Sequence, residues 1–328
     1  MQSFRIDDHG PTGASEPAML KRTCAALLSA AALTLGGCGG HGGGDGQMHE
    51  VRMAVMSSAS DPRLANRWNA FKNLLQRATG LPVKLYQSSD YNGVIQAFAS
   101  NQVDVANLAP DSYANVDSQI GKLAQPILAA RDAEGEMGYY SAVIVKANSP
   151  YHTLADLKGH TMVYPDFNST SGYLFPRAKM REQGFDPDTS FSKTGFSGGH
   201  TQSVMALENG QFDAAVIYMA GGTPQTGFSS GALYRLAQLG MVKTGDFRMI
   251  WSAGPIPNAA LAVRGDRPQW FIDQVRGAAA ALAYDDPKTW HDIGQLEGST
   301  YTSVNRDFYG TIIKLRAEDL ARHRGQQQ

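Results

Sequence analysis

From Glu50 onward the chain alternates short apolar runs with segments whose apolar residues recur at helical spacing. Val51-Arg52-Met53-Ala54-Val55 predicts a strand, and residues 62–80 place Trp68, Phe71, Leu74 and Leu75 on one helix face. Residues 81–86 predict a second strand, 91–100 a helix with Val94, Ile95 and Phe98 on one face, and 103–108 a third strand. This βαβαβ rhythm argues for a parallel sheet covered by helices on both faces.

A second α/β unit follows. Residues 141–146 predict an apolar strand, 153–159 a short capped helix, and 161–164 another strand. Helices are expected at 171–183 and 200–209, with a strand at 212–218. Pro176 is awkward inside the first of these, because proline removes a backbone bond and kinks a helix interior. Residues 247–251 read as a strand leading back and 259–263 as a strand of the first unit, with helices at 270–283 and 307–322 closing the chain. The expected organisation is a lobe over 50–147, a second lobe over 148–250, and a return to the first lobe over 251–328.

The first fifty residues carry a different pattern. Met19-Leu20-Lys21-Arg22 is a short basic region, and residues 25–35 are an apolar run too short to span a bilayer. The run ends in Leu35-Gly36-Gly37-Cys38, which resembles a bacterial lipobox and marks Cys38 as the expected lipidation site. Residues 1–38 are therefore expected to be a leader, with Met19 the better start, and the glycine-rich 39–49 a flexible tether. The chain has two cysteines, Cys24 and Cys38, both inside this leader. No disulfide, thiol nucleophile or thiolate metal site is then expected in the body. A net charge of −1 over 328 residues, with Lys and Arg scattered, argues against nucleic-acid binding.

Candidate chemistry sits at two helix starts. Asp166-Phe167-Asn168-Ser169-Thr170-Ser171-Gly172 and Ser197-Gly198-Gly199-His200-Thr201 each read as a polar, glycine-bearing loop that turns into a helix. Helix starts present unpaired N–H groups and the positive end of the dipole, so they favour anions. Capping needs one of the three hydroxyl residues Ser169, Thr170 and Ser171; three together exceed that need. No cofactor or metal is expected, since the eight histidines show no paired metal-ligand spacing.

These segments belong to a wider series. Ser89-Asp90-Tyr91-Asn92-Gly93-Val94-Ile95, Val103-Asp104-Val105-Ala106, Gly138-Tyr139-Tyr140-Ser141, the run from Asn168 to Pro176, Gly199-His200, and Ile250-Trp251 with Pro255-Ile256-Pro257 occur in that order. Together they resemble the phosphate, phosphite and phosphonate substrate-binding proteins of ABC importers. The resemblance spans residues 51–320 and is most specific at Ser-Thr-Ser-Gly and Gly-His. It implies an α/β fold of the two-lobed type II periplasmic binding protein kind. Each lobe would be a mixed, mostly parallel sheet flanked by helices, the two joined by a two-strand hinge. It also implies that Ser169, Thr170, Ser171 and His200 hold the oxyanion, with Tyr91 and Tyr139 facing them from the other lobe. A histidinium at His200 would add a charge-assisted bond. Tyr140 is the alternative to Tyr139.

Departures from the family refine the expectation. Relatives that bind aminoalkylphosphonates place carboxylates near the amine, at positions that fall here on Ala220 and Ala259. A buried, unpaired ammonium would lose several kcal/mol of solvation, so a small phosphorus oxyanion without an amine is expected: phosphite, methylphosphonate or phosphate. Asp111 lies where relatives often carry an aromatic-Gly-Pro-aromatic stretch; it is read as a solvated loop acid in preference to a pocket-lining acceptor. Tyr218 is either a pocket wall or core, and Asp213 suggests structural turn bonding. The implied partners are a permease with its ATPase and, through the lipid anchor alone, the membrane; the protein is expected to be a periplasmic, membrane-anchored monomer. A ligand sensor for a receptor kinase or chemoreceptor would use the same fold. An enzyme could cast Ser169 or Ser171 with His200 and Asp166 as nucleophile, base and orienting acid, but neither of these serines stands in a Gly-x-Ser-x-Gly elbow, and no phosphate loop is present.

Overall fold

The computed structural model describes residues 48–56, 62–293 and 298–325. The leader, Cys38, nearly all of the tether and the Gln-rich end lie outside the described residues. In chain order the first elements are β1 (Val51–Met56), α1 (Pro62–Thr79), β2 (Val83–Ser88), α2 (Tyr91–Ala99), β3 (Val105–Leu108), α3 (Pro110–Ile120) and β4 (Ala124–Arg131). Next come β5 (Gly138–Lys146), β6 (Thr161–Tyr164), α4 (Phe175–Glu182), β7 (Lys193–Phe196), α5 (His200–Glu208), β8 (Ala214–Thr223), β9 (Gly227–Gly231) and α6 (Ala232–Gln238). The chain closes with β10 (Phe247–Pro257), β11 (Ala260–Arg264), α7 (Gln269–Asp285), α8 (Pro287–Asp292), β12 (Thr300–Ser303) and α9 (Gly310–Gly325).

Two mixed sheets result, ordered β12-β4-β11-β3-β1-β2 and β10-β5-β8-β6-β7, with β9 paired to β8. Period-two alternation explains why both faces of the first sheet are apolar. Val51, Met53, Val55, Leu261 and Val263 pack under α1 and α7, while Ala54, Ala106, Ala260 and Ala262 face α2 and α3. The second sheet repeats the arrangement, with Ala142, Ile144 and Ile217 on one face and Val143, Val145 and Val216 on the other.

Four expectations are corrected. Parallel pairing is confined to β1–β2, β1–β3, β6–β7 and β6–β8; the remaining pairs are antiparallel, so neither sheet is mostly parallel. The lobe boundaries also move. β5 pairs with β8 and β10 in the second sheet, so the chain crosses at residues 132–137 rather than 147 and returns at 258–259 rather than 251. β5 and β10 run side by side from Gly138↔Pro257 to Lys146↔Phe247 and are the two strands leading between the lobes. Third, Asp111 is no loop acid: Pro110 opens α3, and Asp111 is fully buried within its first turn. The capped helix expected at 153–159 shrinks to one 3₁₀ turn over Ala155–Leu157.

Candidate functional site

The Ser-Thr-Ser segment enters its helix through a π-turn over Thr170–Leu174, after which α4 begins at Phe175. This explains Pro176. It is not interior but sits in the first turn of α4, where the missing N–H is not needed. Ser169 caps the π-turn, its Oγ accepting the Gly172 N–H at 3.0 Å. A side chain at Gly172 would meet Pro165 and the Ser169 hydroxyl at 2.5 and 2.6 Å, so the cap requires glycine there. Ser169, Thr170 and Ser171 are all buried.

His200 opens α5, which has no side-chain cap. The loop before it turns at Gly198, whose φ of +86° suits glycine, while its N–H donates to the Pro165 carbonyl at 2.8 Å. The turn brings His200 Nε2 to 3.1 Å from Ser169 Oγ, and Nδ1 is buried without a hydrogen-bond partner. The ring meets Tyr218 edge-on at 5.0 Å. Burial drives the imidazole from its ordinary 6.5 down to about 3. In this arrangement His200 is therefore neutral and the charge-assisted bond that a histidinium would add is not made, because burial has no facing carboxylate to offset it. The electrostatic environment is thus a set of neutral donors.

The opposing row comes from α2 of the first lobe and, where both tyrosines were expected to face from the other lobe, from the start of β5, a strand of the second sheet. Asp90 caps α2 by accepting the Gly93 N–H at 2.7 Å, which fixes Tyr91 at the first helical position. Burial pushes the Tyr91 phenol up to about 12, and the adjoining Ser169 hydroxyl draws it back. Tyr139, near the start of β5, lies against the hydroxyls of Ser171 and Thr170, and burial raises its phenol as well. Both phenols are protonated at neutral pH and can donate. Tyr140 points elsewhere, packing on Phe228 at 5.3 Å. The structure thus brings Tyr91, Tyr139, Ser169, Thr170, Ser171 and His200 into one cluster.

The hydroxyls are oriented as donors. Thr170 Oγ1 accepts the Asp111 N–H at 2.8 Å, and Ser169 Oγ accepts from Gly172. A hydroxyl whose lone pair is engaged by an N–H turns its single proton to another acceptor. Ser171 is held by its carbonyl, which accepts the Ser141 hydroxyl at 2.7 Å. Such a set suits an oxyanion and offers little to a cation. Asp111 itself lines neither cavity described below, since Arg316 engages both of its carboxylate oxygens. Asp166 does not orient the histidine; its Oδ1 accepts the Asn168 N–H at 2.7 Å. No cluster of three or more metal-ligating side chains occurs among the described residues. Asp213 binds the Thr161 N–H and hydroxyl at 2.9 and 2.7 Å and holds β6 against β8.

Two cavities flank Tyr218, which lines both. One, of about 460 Å³, reaches from Tyr91 and His200 along Phe196 and Met205 to Arg235. The other, of about 280 Å³, lies beside the hinge strands and is lined by Tyr139, Ala220, Ala259 and Asn258. The two alanines singled out from the sequence do meet there. Sequence reading missed Asp132, which lines the same cavity from the β4–β5 turn. Its signal was weak, because its Oδ1 also closes that turn by accepting the Glu136 N–H at 2.7 Å.

Residues 53–308 match the family model described as ABC transporter, phosphonate, periplasmic substrate-binding protein. The chain is 25% identical over 287 residues to a phosphate-import protein of Mycolicibacterium smegmatis, covering 85% of this chain and 86% of that one. It is 27% identical over 236 residues to the phosphonates-binding periplasmic protein of Escherichia coli, covering 70% and 65%. In fold it is similar to PhnD1 from Prochlorococcus marinus, solved in complex with methylphosphonate, with a TM-score of 0.68 at 18% identity over 82% of this chain and 98% of that one. No helix among the described residues is long and apolar enough to cross a membrane. The chain belongs to the family of periplasmic substrate-binding proteins of phosphonate ABC transporters, which bind substrates for transport rather than convert them.

Proposed function

We propose that this protein is the extracytoplasmic, lipid-anchored binding component of an ABC importer, capturing a small phosphorus oxyanion that carries no amine. Phosphite, methylphosphonate and phosphate are the candidate ligands. The observation that carries the reading is the facing of two donor rows, one reaching from α2 of the first lobe to the start of β5 and the other at the two helix starts of the second lobe. Tyr91 and Tyr139 stand on one side, and Ser169, Thr170, Ser171 and His200 on the other. The phenols now rest directly on the hydroxyls, so an oxyanion enters when the rows part and then exchanges phenol–hydroxyl contacts for donations to its own oxygens. Bringing the lobes together completes those donations, which makes closure favourable with ligand bound. The closed form is the one that docks on the permease.

Ala220 and Ala259, both in the hinge-side cavity, support exclusion of an amine. An ammonium there would find one carboxylate among the lining residues, Asp132, whose Oδ1 accepts the Glu136 N–H within its own turn. Calorimetric titration with phosphite, methylphosphonate, phosphate and 2-aminoethylphosphonate tests both levels. Tight binding of the aminoethyl compound alone would sink the specificity claim, and binding of none of the four would sink the ligand class.

A further inference from the structure

Behind the Ser169–Ser171 loop, a buried ionic cluster ties the C-terminal helix to both lobes. Arg316 of α9 is 2% exposed, yet it lines neither cavity. Its Nε donates to Asp111 Oδ1 at 2.6 Å and a second nitrogen donates to Oδ2, a bidentate pair with the start of α3. The same guanidinium lies over the Phe167 ring, 5.4 Å from its centre, and Phe167 belongs to the second lobe's ligand loop. Its Nη1 is also 3.6 Å from Asp319 one turn along α9.

The contacts between α3 and the loop lie beside this clamp. The Asp111 N–H donates to Thr170 Oγ1 at 2.8 Å, and Asn115 Nδ2 donates to Asn168 Oδ1 at 3.3 Å. Ile312 and Leu315 of α9 share an apolar cluster with Ala114 of α3 and with Leu174, Phe175 and Ala178 after the loop. A buried arginine with a fork to one lobe and a ring face in the other fixes the angle at which α3 meets the loop. It also neutralises a carboxylate close enough to act on both Tyr91 and Tyr139. An uncompensated charge at that position would oppose an incoming anion.

We propose that Arg316 is a positioning residue for oxyanion binding: through Asp111 it keeps the Thr170 hydroxyl acceptor-engaged and donor-free toward the ligand, and it cancels the nearest buried carboxylate. The role rests on the phosphorus-oxyanion reading above, but its structural half does not. It acts on a residue that touches ligand and never on the ligand itself. Apolar packing of α9 alone would leave the Thr170 geometry independent of the charge at position 316.

The test pairs a binding cycle with a ligand-free measurement on the full chain. Methylphosphonate is titrated into wild type, Arg316→Met, Thr170→Val and the double variant. Arg316→Met is expected to weaken binding about tenfold or more, as loss of a charge-assisted pair implies, and to do much less in the Thr170→Val background. Arg316→Lys restores only part of the loss, lacking the fork. Equal losses in both backgrounds would overturn the proposal. Hydrogen exchange of the unliganded Arg316→Met and Arg316→Lys proteins gives the second arm. Faster exchange is expected in peptides spanning 109–116 and 166–175, with the strand at 51–56 unchanged. Unchanged exchange at the loop, or faster exchange everywhere, would overturn it. If wild type binds no methylphosphonate, phosphite or phosphate, the ligand class fails, and the exchange arm still decides the role of Arg316.

Discussion

The second lobe's donor row and the hinge-side cavity, which share Tyr139 as their border, are built in opposite ways. The second lobe's row comes from two short loops, each entering a helix, where local chemistry dictates position: a serine cap, a glycine that cannot carry a side chain, a neutral histidine. The hinge-side cavity is assembled from the β4–β5 turn, the end of β8 and residues 258–259, which meet only in the folded chain. On the proposed reading, one region sets the class of ligand and the other what may be attached to it.

The donor row should break first. Ser169→Ala removes the hydroxyl shared by Gly172, His200 and Tyr91, and is expected to weaken oxyanion binding on the order of a hundredfold, about 2–3 kcal/mol, the cost of leaving buried partners unsatisfied. A change under threefold in a calorimetric titration would mean that Ser169 only caps its turn. His200→Ala should cost about tenfold, the scale of one neutral hydrogen bond. There should be no turnover to lose.

The hinge-side cavity should respond in the opposite sense. Ala220→Glu places a carboxylate in the cavity wall and is expected to raise affinity for 2-aminoethylphosphonate relative to methylphosphonate by about tenfold, the scale of a charge-assisted pair. No change in that ratio would show that a substituent on phosphorus does not reach Ala220. Asp132→Asn should be the mildest, within about threefold for methylphosphonate, since the asparagine oxygen can still accept the Glu136 N–H.

The neutral histidine also has a signature in stability. In the folded protein it holds its proton only below about 3, whereas in the unfolded chain it does so below 6.5. Between those values the unfolded state binds more protons, so the unliganded protein loses stability as pH falls from 6.5 toward 3, by up to about 1.4 kcal/mol per unit from this group. His200→Gln should flatten that part of the denaturation profile. An unchanged slope would mean that the ring is solvated and charged.

Local chemistry also explains how much was legible beforehand. Regular helices such as α1 and α2 and the core strands β1, β3 and β6 follow from apolar periodicity, and the Ser-Thr-Ser and Gly-His loops from their composition. α3 did not, because its face carries Asp111, Asn115 and Asp117, polar groups that look solvated until Arg316 and Arg306 are found against the two acids. The lobe boundary moved because β5 and β10 are long strands, and which sheet they join depends on partners some hundred residues apart in sequence. Asp132 was masked by its local turn bond to the Glu136 N–H, and the residues it meets in the cavity lie far off in sequence.

A crystal structure of the protein grown with methylphosphonate tests the central claim most directly. The phosphonate should sit between the two rows, its oxygens within hydrogen-bond reach of Ser169, Thr170, Ser171, His200, Tyr91 and Tyr139, with the methyl group toward Ala220. A phosphonate bound elsewhere, with the phenols still resting on the hydroxyls, would contradict the account.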